Sequence, residues 1–69
     1  MKRLISVIVP AYNEESCIEE LVRRLSIVFT KNSGYDFETI FIENGSTDRT
    51  WEILQKVHQQ DARFKVVRL

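Results

Sequence analysis

Three short apolar runs, separated by two stretches of helical periodicity, constrain the fold of this chain more than any other feature of its sequence. The runs are residues 4–9 (LISVIV), 37–42 (FETIFI) and 64–69 (FKVVRL), and they are rich in residues that favour strands. The predicted element order is β-α-β-α-β. Because crossover helices connect parallel strands and right-handed crossovers are the rule, we expect an α/β fold. The expected sheet has three parallel strands in the order 3-2-1, which is the Rossmann-like half of a doubly wound sheet.

The first run also predicts how the chain enters its first helix. Residues 4–9 contain a single serine among apolar side chains, which indicates a strand buried on both faces. Pro10 has no backbone N–H and is expected to end that strand. Asn13 is a favourable N-cap, and Glu14 and Glu15 would place negative charge at the positive end of the helix dipole.

The first helix is predicted to continue until the segment Asn32-Ser33-Gly34, where Gly34 suits the left-handed position after the last turn. Apolar residues recur at helical spacing along it. They are Ile18, Leu21, Val22, Leu25 and Val28 or Phe29. On the exposed face we expect ion pairs at i,i+4 spacing, namely Glu19–Arg23 and Glu20–Arg24.

The second helix has three candidate caps, and the sequence does not choose among them. Ser46, Thr47 and Asp48 all carry side-chain oxygens that can accept a hydrogen bond from the first turn. The helix is expected to run to about residue 60. Its predicted buried residues are Trp51, Leu54 and Val57.

Composition narrows the possible partners and environment. The chain has 69 residues, ten basic and ten acidic side chains and a formal net charge of zero, so we expect no nucleic-acid binding. A single cysteine, Cys17, excludes an internal disulfide and fits a reducing, cytoplasmic setting. No apolar run approaches the roughly 20 residues of a membrane span.

Two polar loops follow the first two predicted strands. They read PAYNEE and ENGSTD, and each leads into a predicted helix. In open parallel sheets, ligands bind outside the carboxyl ends of the strands. The change from apolar strand to polar loop is therefore predicted to mark a binding site.

These loops resemble those of a known family. SVIVPAYNEE, followed about 30 residues later by FIENGSTDRT, is similar to the N-terminal part of family 2 glycosyltransferases, which have the GT-A fold. Within that family the chain looks most like the branch of dolichol-phosphate mannose synthase and the polyprenyl-phosphate glycosyltransferases. The resemblance covers nearly all 69 residues and implies a site for a UDP- or GDP-sugar.

The resemblance assigns the first loop to the base and ribose of the nucleotide. That role falls on Pro10, Ala11, Tyr12 and Glu14. A rigid proline, a flat aromatic face for a base and a carboxylate for ribose hydroxyls are suited to it. The alternative for Tyr12 is that its ring packs on the first helix.

The second loop departs from the family pattern. The family usually has Asp-Asp-Gly-Ser, in which a carboxylate accepts the ring N–H of the base, whereas this chain has Glu43-Asn44-Gly45-Ser46. Glu43 keeps the charge on a longer side chain. Asn44 keeps an acceptor oxygen and adds an NH₂ donor, so it can pair with a uracil edge without charge assistance.

The resemblance also sets expectations for the complete enzyme. It implies transfer of a hexose to an acceptor, with a polyprenyl phosphate as the first candidate, at the cytoplasmic face of the membrane. It implies Mg²⁺ or Mn²⁺ held by an Asp-x-Asp motif that this sequence does not contain, so no catalytic or metal-binding residue is predicted here.

Residues 1–69 are accordingly expected to be an N-terminal part of the glycosyltransferase domain, inactive on its own. They are also expected to self-associate through the exposed edge of the first strand. Two alternatives are a non-catalytic module that binds a nucleotide or a protein, and a remnant that does not fold.

Overall fold

The five predicted elements form in the predicted order. The computed structural model describes residues 2–69 and contains a parallel sheet in which β2 lies between β1 and β3, so the predicted order 3-2-1 is confirmed. The elements are β1 (Arg3–Ala11), α1 (Ile18–Lys31), β2 (Tyr35–Glu43), α2 (Thr50–Gln60) and β3 (Phe64–Arg68).

The hydrophobic core lies between one face of the sheet and the two helices. Its aromatic centre is a stack in which the Phe29 ring lies 4.5 Å from Phe37 and 5.9 Å from Phe64, measured between centroids. Leu54 and Val57 of α2 are buried as predicted, whereas Trp51 is only half-buried. The buried apolar residues are Ala11, Ile18, Phe29, Phe41, Leu54, Val57 and Phe64.

The prediction that the first strand is buried on both faces is wrong. Leu4 and Ile8 are each 58% exposed, and they point to the face of the sheet opposite the helices. The reason is that both crossovers run in the same direction, which places both helices on one face. Within residues 2–69 nothing covers the other face, and β1 is an edge strand.

Pro10 does not end the strand, contrary to expectation. It lies within β1, opposite Ile42 of β2, and the strand continues to Ala11. An edge strand pairs on one side only, so a residue without an N–H is tolerated where that group would face away from the neighbour.

The ends and exposed face of α1 also differ from the sequence prediction. Gly34 does not adopt a left-handed backbone; instead, the side chain and the N–H of Asn32 both donate to the carbonyl of Val28, at 2.8 and 3.1 Å. On the exposed face, Glu20 pairs with both Arg23 and Arg24, and the predicted Glu19–Arg23 pair is not formed. Hydrogen bonds from these arginines lower the pKa of Glu20 to about 2.

A buried hydroxyl without a partner gives a stability prediction. Thr39 of β2 is fully buried, and its Oγ1 accepts and donates no hydrogen bond. An unsatisfied buried polar group costs about 1–3 kcal/mol, so Thr39→Val is expected to raise the free energy of unfolding by about 1 kcal/mol. Urea denaturation measures this change.

The matched control is Thr30→Val, on the exposed side of α1, where the hydroxyl donates to the carbonyl of Ser26. We expect this variant to remain within about 0.5 kcal/mol of the wild type. A loss of stability in Thr39→Val would show that the hydroxyl has a partner in solution.

Candidate functional site

The two polar loops begin side by side at the carboxyl edge of the sheet. Ala11, the last residue of β1, lies opposite Glu43, the last residue of β2. We call residues 12–17 the first loop and residues 44–49 the second loop. Since the parent strands are neighbours, the loops are brought into contact by the parallel register of the sheet.

Backbone groups of the first loop are bound by side chains of the second. Three successive N–H groups, those of Asn13, Glu14 and Glu15, donate to side-chain oxygens in the second loop and at the start of α2. The pairs and their distances are Asn13 to Ser46 Oγ at 3.0 Å, Glu14 to Thr50 Oγ1 at 2.8 Å and Glu15 to Asp48 Oδ2 at 3.3 Å.

Asn13 links the loops and does not cap α1, so its predicted role is wrong. Its Oδ1 accepts a hydrogen bond from the N–H of Thr47 at 2.8 Å. Its backbone is left-handed, with φ at 51°, a conformation that asparagine adopts more readily than most residues. The chain then makes a turn in which the N–H groups of Cys17 and Ile18 donate to the carbonyl of Glu14, and α1 begins without a side-chain cap.

Of the three candidate caps for α2, Asp48 binds the first residue of the helix. Its Oδ1 accepts from the N–H of Thr50 at 2.9 Å and from the hydroxyl of Thr50 at 2.5 Å. The hydrogen bond from that hydroxyl is the main reason that the pKa of Asp48 is lowered. Ser46 and Thr47 bond instead to Asn13 in the first loop.

Glu43 is buried in the turn that it begins. It is 0% exposed, and its Oε1 accepts a hydrogen bond from the N–H of Ser46. Its Oε2 lies 3.1 Å from Arg68 Nε, close enough for an ion pair but not aligned as a hydrogen bond. Hydrogen bonding to Ser46 is the main cause that lowers the pKa of Glu43. Gly45, with φ at 72°, gives the turn its left-handed residue.

The predicted site residues divide into exposed and buried groups. Tyr12 is 57% exposed, so its ring is not packed against α1. The side chains of Pro10, Glu14 and Asn44 are also exposed. Ala11 is buried. Four of the six predicted site residues are therefore exposed, and Ala11 and Glu43 are buried.

Sequence reasoning did not identify Arg68 or Thr50 as part of this region, and it assigned Trp51 to the core. The Arg68 guanidinium carbon lies 4.9 Å from the centre of the Trp51 ring, within the range of a cation–π contact. The predicted strand order contained a signal for Arg68, because it places the end of β3 beside the end of β2. Nothing in the sequence distinguished Thr50 from other helix residues.

A separate groove runs between α1 and α2. Its floor is apolar, formed by Val22, Ile53 and Val57, with Arg49 and Lys56 at its rim. Among residues 2–69, no group of three or more His, Cys, Asp or Glu side chains is placed to hold a metal ion. In the same part of the chain, neither helix has the length and apolar character needed to cross a membrane.

Comparison with known proteins decides the family. The sequence model of glycosyl transferase family 2 matches residues 6–69, which include both loops. The chain belongs to glycosyl transferase family 2. This result confirms the family predicted from the two loop motifs.

Several curated relatives of this family 2 chain are similar to it over most of its length. An undecaprenyl-phosphate 4-deoxy-4-formamido-L-arabinose transferase of Pseudomonas paraeruginosa is 40% identical over 58 residues, covering 84% of this chain and 17% of the relative. The uncharacterized glycosyltransferases YkcC and EpsJ of Bacillus subtilis are 39% and 38% identical, over 90% and 93% of this chain and 19% and 17% of their own lengths. The chain thus spans less than a fifth of the relatives it matches.

The contacts of Asp48 predict that the stability of the folded chain decreases at acidic pH. Because its pKa is lowered in the folded chain, Asp48 stabilises the fold above the unfolded-state pKa, and this contribution is lost as the pH falls through the lower folded-state value. We expect Asp48→Asn to be less stable than the wild type at pH 7, with the difference shrinking below about pH 4. Urea midpoints measured from pH 7 to pH 3 test this.

The matched control is Asp36→Asn, an exposed aspartate at the other end of β2. Its urea midpoint should follow that of the wild type at each pH. A stability difference between Asp48→Asn and the wild type that stays constant to pH 3 would contradict the assignment.

Proposed function

We propose that the surface formed by the two loops binds the nucleoside part of a UDP- or GDP-sugar, in an enzyme that transfers the sugar to an acceptor. The observation that carries the proposal is the placement of Tyr12, Glu14 and Asn44. All three side chains are exposed, while the backbone between them is fixed by cross-loop hydrogen bonds. A preorganised polar surface with one aromatic face suits a nucleoside.

Each exposed group has a chemical role in this proposal. The Tyr12 ring stacks on the base, a contact worth about 1–3 kcal/mol in single-stranded nucleic-acid complexes. The Glu14 carboxylate accepts hydrogen bonds from ribose hydroxyls. The Asn44 amide accepts from the ring N–H of the base and donates to a neighbouring carbonyl. Pro10 and the buried Ala11 form the rigid end of β1 from which the loop leaves the sheet.

Glu43 contributes to nucleotide binding from beneath the surface. Its oxygens face Ser46 and Arg68, and its side chain is fully buried. We therefore assign it to holding the second loop in the shape that presents Asn44. An uncharged Asn44 then makes the base contact for which the family uses a carboxylate.

The acceptor proposal rests on the relatives. Several of them are named as transferases that act with undecaprenyl phosphate, which supports a polyprenyl phosphate as the acceptor. We further propose that the reaction takes place at the cytoplasmic face of a membrane. The acceptor oxygen would attack the anomeric carbon as the bond to the nucleoside diphosphate breaks, with inversion. Family membership implies Mg²⁺ or Mn²⁺ to stabilise the leaving diphosphate, but residues 2–69 do not supply a fitting ligand set. We expect no sugar transfer from this 69-residue chain alone.

The Tyr12 contact provides the test of the nucleotide proposal. We expect the chain to bind UDP or GDP, and Tyr12→Ala to weaken that binding roughly five- to 150-fold, the range that corresponds to a stacking contact. Tyr12→Phe keeps the aromatic face and should bind within about twofold of the wild type. Isothermal titration calorimetry measures these dissociation constants.

Tyr35→Ala is the matched control, because Tyr35 is also exposed but begins β2 at the opposite end of the sheet. It should bind as the wild type does. Equal affinity of Tyr12→Ala and the wild type would rule out stacking on Tyr12.

We also propose that the chain self-associates through β1. This strand forms an edge of the sheet over nine residues, with Leu4 and Ile8 exposed beside it. Unprotected edges of this kind pair with other strands, and lysine on an edge strand opposes such pairing.

Sedimentation equilibrium over a range of concentrations tests this association. We expect the wild type to form dimers and Ile8→Lys to shift the equilibrium toward monomer. Val67→Lys, exposed on the same sheet face but on β3, is the control and should leave the dimer intact. A monomeric wild type at all concentrations would refute the proposal.

A further inference from the structure

The hydroxyl of Thr50 lies at the junction between α2 and the first loop. Thr50 is fully buried, and its Oγ1 is 2.8 Å from the N–H nitrogen of Glu14 and 2.5 Å from Asp48 Oδ1. A hydroxyl has one proton to donate, and an ionised carboxylate can only accept. The Thr50 proton therefore goes to Asp48, which leaves the lone pairs of Oγ1 for the N–H of Glu14.

Asp48 therefore determines that the Thr50 hydroxyl donates to the carboxylate and accepts from the first loop. Its Oδ1 binds both the N–H and the hydroxyl of Thr50, while its Oδ2 takes the N–H of Glu15. The two carboxylate oxygens thus hold the helix start and the loop backbone at the same time. Ser46 completes the set by accepting the N–H of Asn13.

These bonds connect the exposed loop to the rigid part of the fold. Helix α2 is anchored in the core by Leu54 and Val57, so Thr50 is held at a fixed position. Glu14, which is bound by Thr50, is the proposed ribose contact, and Tyr12 is two residues before it in the same loop. Displacing the Glu14 backbone would move both ligand-contacting side chains.

We propose that Thr50, Asp48 and Ser46 are positioning residues of the nucleotide site, which set affinity without touching the nucleotide. The proposal rests on the function proposed above, because it requires the first loop to bind a nucleoside. The three side chains hold successive N–H groups of that loop before the ligand arrives. They reduce the conformational ordering that binding would otherwise require.

The test combines affinity with amide hydrogen exchange. Thr50→Val removes the hydroxyl and keeps the shape, Thr50→Ser keeps the hydroxyl, and Thr39→Val is the matched buried control, because its hydroxyl bonds to nothing. We expect Thr50→Val to weaken UDP or GDP binding about tenfold and to reduce the exchange protection of the Glu14 amide. The Phe41 amide in the core should keep its protection, and Thr50→Ser should restore both affinity and Glu14 protection.

The outcomes distinguish failure of the positioning role from failure of the proposed nucleotide binding. If the wild-type chain binds neither UDP nor GDP, the proposed function fails and this inference fails with it, even where the Glu14 amide is protected. If the wild type binds and Thr50→Val binds equally well, the positioning role alone is overturned. A uniform loss of protection that includes Phe41 would mean that Thr50 supports the whole fold, and that also overturns it.

Ser46→Ala provides a second variant in case Thr50→Val does not fold. Ser46 lies in the second loop and not in the core, so its truncation should leave Phe41 protected. We expect several-fold weaker nucleotide binding and faster exchange of the Asn13 amide, which loses its acceptor. Unchanged affinity in this variant, with faster Asn13 exchange, would refute the positioning role.

Discussion

The candidate site depends on hydrogen bonds that join the first loop to side chains 33 to 36 residues further along the chain. Loops at the surface normally satisfy their backbone groups with water and remain mobile. Here three successive N–H groups of the first loop bind side chains that follow β2. The first loop is therefore held by the second loop and by the first residue of α2, and its exposed side chains project from a fixed backbone.

This arrangement explains the abrupt change of chemistry at the end of β1. The strand must be apolar where it contacts the core, and it must stop where the sheet meets solvent. The polar residues that follow perform two separate tasks. Asn13 and the backbone of residues 13–15 join the loops, whereas the side chains of Tyr12 and Glu14 remain exposed. The same short segment thus contains polar groups that join the loops and side chains that are left exposed.

The element order and the adjacency of the two loops could be predicted from the sequence, because both follow from local patterns. Periodicity identifies strands and helices, and parallel strands bring successive loops to one edge. The role of Asn13 could not be predicted in this way. A helix cap is predicted from neighbouring residues, whereas the Asn13 side chain binds the N–H of Thr47, which is 34 residues away.

Two further differences have similar causes. Glutamates usually lie at the surface, but Glu43 is enclosed by its turn and by Arg68 of β3. The composition of β1 is that of a strand covered on both faces, yet coverage depends on a second layer that its own sequence does not specify. Leu4 and Ile8 are therefore exposed.

The central claim is that the two loops form one nucleoside-binding surface, and amide chemical shifts during a titration with UDP and then GDP test it most directly. The account predicts well-dispersed amide signals and shifts concentrated at Tyr12, Glu14 and Asn44, with small changes at the opposite end of the sheet near Tyr35. Shifts spread evenly over the chain, or no shifts with either nucleotide, would contradict it.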